Sequence, residues 1–136
     1  MREILQWLAA REIESVIYSN HTVSGLDFQL ERLRLKLFFT KVFGRTEIEG
    51  ASHVHQRNKE QKLMEYVRFR KFKPTEVLTI GDTCEEIDIG KKHGFYTVAI
   101  TGGDNSTGRL KAGNPDFLIN KLSTLKKIIK NLNEKS

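Results

Sequence analysis

The most informative segment of the chain is Val77-Leu78-Thr79-Ile80-Gly81-Asp82-Thr83-Cys84-Glu85-Glu86-Ile87-Asp88. Four apolar or β-branched residues run into Gly-Asp-Thr, and acidic residues follow at once, which predicts a buried parallel strand over 77–80, a tight turn and a helix. Asp82 then lies at the carboxyl end of a strand, where open α/β sheets bind ligands. Clustered carboxylates suit a hard cation such as Mg²⁺, although an Asp or Thr cap on an ordinary helix explains the same residues.

The composition is that of a folded protein with a basic surface. The 136 residues carry 23 basic and 17 acidic side chains, a net charge of +6, and 38% of them are hydrophobic. This length predicts a single domain over 1–136. Apolar runs are short and no signal peptide is recognisable, so we expect no membrane partner. The single cysteine favours a reducing, cytoplasmic location.

Helices and strands alternate along the chain. Apolar spacing predicts helices over 2–11, 26–37, 59–70 and 85–92, and a closing helix with Leu122, Leu125, Ile128, Ile129 and Leu132 on one face. β-Branched and aromatic runs predict further strands over 13–18, 38–43, 96–101 and 116–119. This alternation predicts an α/β fold, a three-layer sandwich with a mostly parallel, Rossmann-like sheet.

Polar residues follow three of the predicted strands, as Ser19-Asn20, Asp82-Thr83 and Gly102-Gly103-Asp104. Because parallel strands end at one edge of a sheet, we expect these groups to converge on one ligand. Lys59, which opens a predicted helix, is a fourth element. The region 46–58 is predicted to be a loop, where the pair His53 and His55 lacks the further ligands that a zinc site needs.

The order Ser19, Lys59 and Gly81-Asp82-Thr83-x-x-Glu86 resembles motifs II, III and IV of the haloacid dehalogenase (HAD) superfamily. The segment from Thr97 to Asn120 is similar to the end of phosphoglycolate-phosphatase-like members, with a Gly-rich loop before Ala-Gly-x-x-Asp. The resemblance covers essentially all of the chain. It implies a HAD core and a Mg²⁺-dependent phosphohydrolase that acts on a small phosphorylated metabolite through an aspartyl-phosphate.

The resemblance also implies roles for the substrate-binding residues. Ser19 would donate a hydrogen bond to a phosphoryl oxygen, and Asn20 would border the substrate pocket. Lys59 would neutralise the phosphoryl group and the nucleophilic carboxylate, with Lys62 as the alternative. Such a site must offset several negative charges around the transferred group.

The metal ligands are implied in the same way. Asp82 would ligate Mg²⁺ directly or through water. Glu86 takes the position of the second acidic ligand, which is usually Asp, and its longer side chain leaves Glu85 and Asp88 as alternatives.

The family's first motif, Asp-x-Asp, supplies the nucleophile and the general acid/base, and nothing in the chain matches it. Asp27 lies in a helical pattern, and Asp104 lacks a second Asp two positions on. We therefore expect the C-terminal part of a HAD-like core, whose first strand and any cap are absent, with Met1 an internal residue or a late start. Its Mg²⁺ site should be weak, and its exposed sheet edges predict self-association.

Two alternative functions stay open on the sequence alone. A catalytically inactive pseudo-hydrolase would bind Mg²⁺, phosphate or a partner protein without turnover, because covalent catalysis needs its nucleophile. A phosphatase acting on nucleic-acid ends would use the basic charge and show salt-sensitive binding to DNA or RNA. Much of that charge falls in the last predicted helix, which favours a solvated face over a nucleic-acid partner.

Overall fold

The computed structural model of the chain describes residues 2–45, 52–102 and 106–135. The contacts divide it into two compact units, Met1–Lys71 and Phe72–Ser136. Each unit contains a parallel sheet with helices packed on it. The α/β class with parallel sheets is thereby confirmed, and the single domain over 1–136 stays a prediction. Within the described ranges, no helix is long and apolar enough to cross a membrane.

The first unit holds a two-stranded sheet. In chain order it comprises α1 (Arg2–Ala10), β1 (Val16–Thr22), α2 (Val23–Arg32), a 3₁₀ turn (Lys36–Phe38), β2 (Lys41–Arg45) and α3 (Ser52–Phe69). Both α2 and α3 pack on β1 and β2. The buried side chains of α1, α2 and α3 include Ile4, Leu5, Leu8, Leu30, Leu63, Tyr66 and Val67.

The ladder between β1 and β2 becomes irregular after Tyr18. Tyr18 pairs with Phe43, but the next pair is Thr22 with Arg45, so residues 19–21 stand opposite a single residue of β2. An irregularity of this type bends a strand and re-aims its side chains. The predicted strand 13–18 was therefore wrong in its limits, since β1 continues through Ser19-Asn20-His21 to Thr22.

A carboxylate in the connection between α1 and β1 contacts the C-terminal end of α3. The side chain of Glu14 accepts a hydrogen bond of 3.0 Å from the Tyr66 hydroxyl. It also accepts one of 3.1 Å from Nε of Arg70 and forms an ion pair of 2.5 Å with the same guanidinium group. Tyr66 is buried and meets the Phe43 ring edge-on, with centroids 5.9 Å apart. One acidic residue thus links the connection after α1 to the last helix of the unit.

The second unit holds a three-stranded sheet in the order β3-β4-β5, with every pair parallel. Its elements are β3 (Leu78–Gly81), α4 (Cys84–His93), β4 (Tyr96–Ile100), α5 (Thr107–Ala112), β5 (Phe117–Ile119) and α6 (Leu125–Lys135), with 3₁₀ turns at Pro74–Glu76 and Leu122–Thr124. Ile87, Ala99 and Leu110 form a buried cluster against which Leu118 packs.

Helix α4 lies unusually close to the sheet at Gly90. A Cβ atom built on Gly90 would overlap Cγ2 of Thr97 and would lie 2.9 Å from Oγ1 of Thr79, and both threonines are buried. The absence of a side chain at this position therefore allows the helix to rest directly on β3 and β4. Gly94 ends the helix in the left-handed region at φ 77°, which confirms the predicted post-helix glycine.

A carboxylate also ties β5 to β4. Asp116 Oδ2 accepts hydrogen bonds of 2.8 Å from the Thr97 amide and 3.2 Å from the Thr97 hydroxyl. The amide of Asp116 in turn donates to the Thr97 hydroxyl at 3.0 Å. Asp116 precedes β5 and was predicted to be its first residue.

The predicted helix 26–37 was wrong in its second half. Helix α2 ends at Arg32, and Arg34 takes a positive φ of 57°. Leu30 and Leu35 are buried, whereas Leu33 is 50% and Leu37 is 100% exposed. The leucine repeat therefore did not mark one continuous buried face.

Two further helical regions differ from the sequence prediction. Helix α3 begins at Ser52, so the predicted loop was wrong for 52–58, and 46–51 lie outside the described residues. Lys59 is thus inside a helix and does not open one. Helix α5 was not predicted, although Ser106 caps it by accepting a hydrogen bond from the Arg109 amide at 3.2 Å.

The buried phenol of Tyr66 gives a testable pH dependence. Burial, followed by the hydrogen bond to Glu14, raises the pKa of Tyr66 above its ordinary value, while Arg70 opposes the shift. As pH rises, the phenol therefore ionises in the unfolded chain before it does so in the folded chain. The contribution of Tyr66 to stability is complete below about pH 10 and is lost as the pH rises toward the pKa of Tyr66 in the folded state. We expect the difference in free energy of unfolding between wild type and Tyr66→Phe to shrink above that pH in urea titrations. A constant difference would contradict this.

The contact at Gly90 is tested by adding a single methyl group. We expect Gly90→Ala to lower the free energy of unfolding by about 1–3 kcal/mol, because the new Cβ has no space against Thr97. Gly108→Ala is the matched control, since a Cβ there meets nothing within 4 Å. That control should be neutral or stabilising by roughly 0.4–1 kcal/mol. Urea unfolding of both variants measures the contrast, and equal losses would refute the steric explanation.

Candidate active site

The connection between β3 and α4 carries the candidate site. Strand β3 ends at Gly81, helix α4 begins at Cys84, and Asp82 and Thr83 alone join them. Thr83 is the N-cap residue in extended conformation. The side chain of Asp82 is half-buried and lies at the carboxyl end of β3, as predicted. The positive end of the helix macrodipole faces this turn and favours negative charge in it.

Glu86 contacts the residues on both sides of Asp82. Its Oε2 accepts a hydrogen bond from the Thr83 hydroxyl. Its side-chain carbons fill the space where Gly81 lacks a Cβ. Two carboxylates, Asp82 and Glu86, are therefore brought to one turn of the chain.

The rival acidic residues occupy different surroundings. Asp88 is exposed on α4, whereas the side chain of Glu85 is half-buried. Within the described residues there is no group of three or more His, Cys, Asp or Glu side chains that could hold a metal ion. Mg²⁺, however, is commonly held by one or two carboxylates, together with water and substrate phosphate. Asp82 and Glu86 fit that donor set.

Strand β4 ends at the same edge of the sheet as β3. The register pairs Gly81 of β3 with Ala99 of β4, so both strands end side by side. The chain leaves β4 through Gly102 at φ 94°. The predicted Gly103-Asp104 part of this loop lies outside the described residues.

Ser19, Asn20 and Lys59 belong to the first unit. Ser19 is half-buried in β1, where the ladder to β2 is irregular. The backbone of Asn20 lies in the same strand and that of Lys59 in α3, and α3 packs on β1. The side chains of Asn20, Lys59, His53 and His55 lie outside the part of the chain that the structure describes. The assignment of Ser19, Lys59, Asp82 and Glu86 as site residues stays a prediction.

The sequence did not reveal how Glu86 is held. The spacing Thr83-x-x-Glu86 is that of a capping pair, in which the Thr side chain would bond a backbone amide. The structure instead directs the Thr83 hydroxyl to the Glu86 carboxylate, and Thr83 makes no side-chain hydrogen bond to the helix backbone. The Thr-x-x-Glu spacing was the available signal for this contact.

Several known proteins are similar to this chain in sequence. Phosphoglycolate phosphatase from Synechococcus elongatus is 26% identical over 123 residues, which span 90% of this chain and 54% of that protein. Pyrophosphatase PpaX from Bacillus cereus is 28% identical over 108 residues, which span 79% of this chain and 48% of that protein. The chain thus spans about half the length of these relatives.

Solved structures share the fold. A haloacid dehalogenase-like family hydrolase from Streptococcus pneumoniae superposes with a TM-score of 0.74 at 21% identity, covering 93% of this chain and 57% of that one. A predicted phosphatase from Clostridium acetobutylicum gives 0.79 at 19% identity, with 95% and 58% covered. The sequence profile of the haloacid dehalogenase-like hydrolases matches residues 1–100. With its parallel sheets and its Gly-Asp-Thr turn, the chain belongs to the haloacid dehalogenase-like hydrolase family.

Proposed function

We propose that this chain is part of a Mg²⁺-dependent phosphatase that acts on a small phosphorylated metabolite. The observation that carries the proposal is the β3–α4 turn, where Glu86 is folded onto the residues flanking Asp82. The reaction would pass through an aspartyl-phosphate whose aspartate is not in these 136 residues, which contain no Asp-x-Asp.

The proposed chemistry divides between metal binding and phosphoryl binding. The carboxylates of Asp82 and Glu86 would hold Mg²⁺, which would offset the charge of the phosphoryl oxygens when bound. Ser19 donates a hydrogen bond to a phosphoryl oxygen, and Asn20 borders the substrate. The ammonium group of Lys59 balances the negative charge shared by the phosphoryl group and the nucleophile.

The substrate class follows from chemistry common to the named relatives. Their names refer to phosphoglycolate and to pyrophosphate. Both are small anions with a terminal phosphoryl group, and a net charge of +6 favours their approach. We extend this class to the present chain and place the protein in the cytoplasm, in keeping with its single cysteine.

The test is hydrolysis of an aryl phosphate with and without Mg²⁺. The full chain is assayed alone and as a fusion to the segment that precedes the matched region in the phosphoglycolate phosphatase relative. We expect turnover from the Mg²⁺-loaded fusion only, because the chain alone lacks the nucleophile. Asp82→Asn should lower that turnover on the order of 10²–10³-fold, as expected when one group stabilising the transition state is lost. The matched control Asp88→Asn changes an exposed carboxylate of α4 and should leave the rate unchanged.

Two results would contradict the proposal. Hydrolysis by the chain alone would mean that another carboxylate is the nucleophile. An inactive fusion that still binds Mg²⁺ and phosphate would favour the pseudo-hydrolase.

The choice between Lys59 and Lys62 is tested in the same fusion. Both lie in α3, three positions apart, so the two positions are neighbours on one side of the helix and either lysine is a candidate. We expect Lys59→Ala to reduce turnover on the order of 10²-fold, because the phosphoryl charge loses its balancing cation. The assay is repeated with Lys62→Ala. A larger loss in that variant would transfer the role to Lys62.

A further inference from the structure

Glu86 occupies the space that a side chain at position 81 would need. A Cβ atom built on Gly81 would lie 2.5 Å from Cγ, 2.7 Å from Cδ and 2.9 Å from Cβ of Glu86. Non-bonded carbon atoms rest about 3.5–4.0 Å apart, so position 81 cannot carry a side chain while Glu86 keeps this conformation. The Glu86 side chain therefore lies directly against the last residue of β3.

A second contact fixes the charged end of the same side chain. The Thr83 hydroxyl donates a hydrogen bond to Oε2 of Glu86. A hydrogen bond to an ionised acceptor is stronger than one between neutral groups. Thr83 makes no side-chain hydrogen bond to the helix backbone, so its hydroxyl binds the Glu86 carboxylate and does not cap the helix.

We propose that Gly81 and Thr83 are positioning residues that hold the Glu86 carboxylate beside Asp82. The motif resemblance implies the shorter Asp as the usual residue at this position, and Glu carries one methylene group more. Packing against Gly81 takes up that extra length, and the Thr83 hydroxyl then fixes the carboxylate in place. The inference rests on the proposed function, in which Glu86 is the second acidic ligand of Mg²⁺.

The packing half of the inference is tested by a double-mutant cycle without metal. Urea unfolding is measured for wild type, Gly81→Ala, Glu86→Ala and the double variant. Gly81→Ala should lower the unfolding midpoint in the wild-type background. The loss should be smaller in the Glu86→Ala background, where the obstructing Cγ and Cδ are absent. Equal losses in both backgrounds would overturn the inference.

The positioning half is tested by Mg²⁺ titration followed through backbone amide NMR shifts. Thr83→Val removes the hydroxyl but keeps the shape, and should weaken Mg²⁺ binding by about tenfold, the equivalent of one hydrogen bond to a charged group. Thr83→Ser keeps the hydroxyl and should bind as wild type does. Equal binding by wild type and Thr83→Val would overturn the positioning role alone. No Mg²⁺-dependent shift in wild type would instead overturn the proposed metal site and, with it, this role.

Discussion

The second unit depends on how closely helix α4 approaches strands β3 and β4. Gly90 has no side chain, so the helix backbone rests on Thr79 and Thr97. Because two residues alone connect β3 to α4, the position of the helix also fixes the turn that contains Asp82. Position 81 also has no room for a side chain, because the carbons of Glu86 fill the space beside Gly81. Glycine at the strand end and at mid-helix thus sets where two carboxylates lie.

The sequence predicted elements well where hydrophobic periodicity and end signals agreed. Strand β3, helix α4 and the glycine after it were such a case, since each reports a local backbone preference. The prediction failed where the leucine repeat continued beyond α2. That helix ends because Arg34 adopts a positive φ, a conformation that glycine or asparagine signals and arginine does not. The first turns of α3 have a polar sequence without apolar residues at helical spacing, and the sequence therefore predicted a loop there.

The candidate site was predictable in its residue types more than in its contacts. The place of Asp82 follows from strand and turn patterns, and those of Ser19 and Lys59 came from the family resemblance. What holds Glu86 was not predictable, because the direction of a hydroxyl and the fit of a methylene group depend on packing across the turn. Glu14, which joins Tyr66 and Arg70 from more than 50 positions away, is a similar case.

The bond between Asp116 and Thr97 has a consequence for the border of the second sheet. One carboxylate engages the Thr97 amide and hydroxyl, and it does so from just before β5. This contact helps to hold β5, the last strand in the order β3-β4-β5, against β4 although β5 has three residues. A border strand this short offers few unpaired backbone groups as a template for a foreign strand. The short β5 therefore limits amyloid-like addition of strands at this edge of the sheet. The side chain of Asp116 provides hydrogen bonds to β4 that a longer strand would make through its backbone.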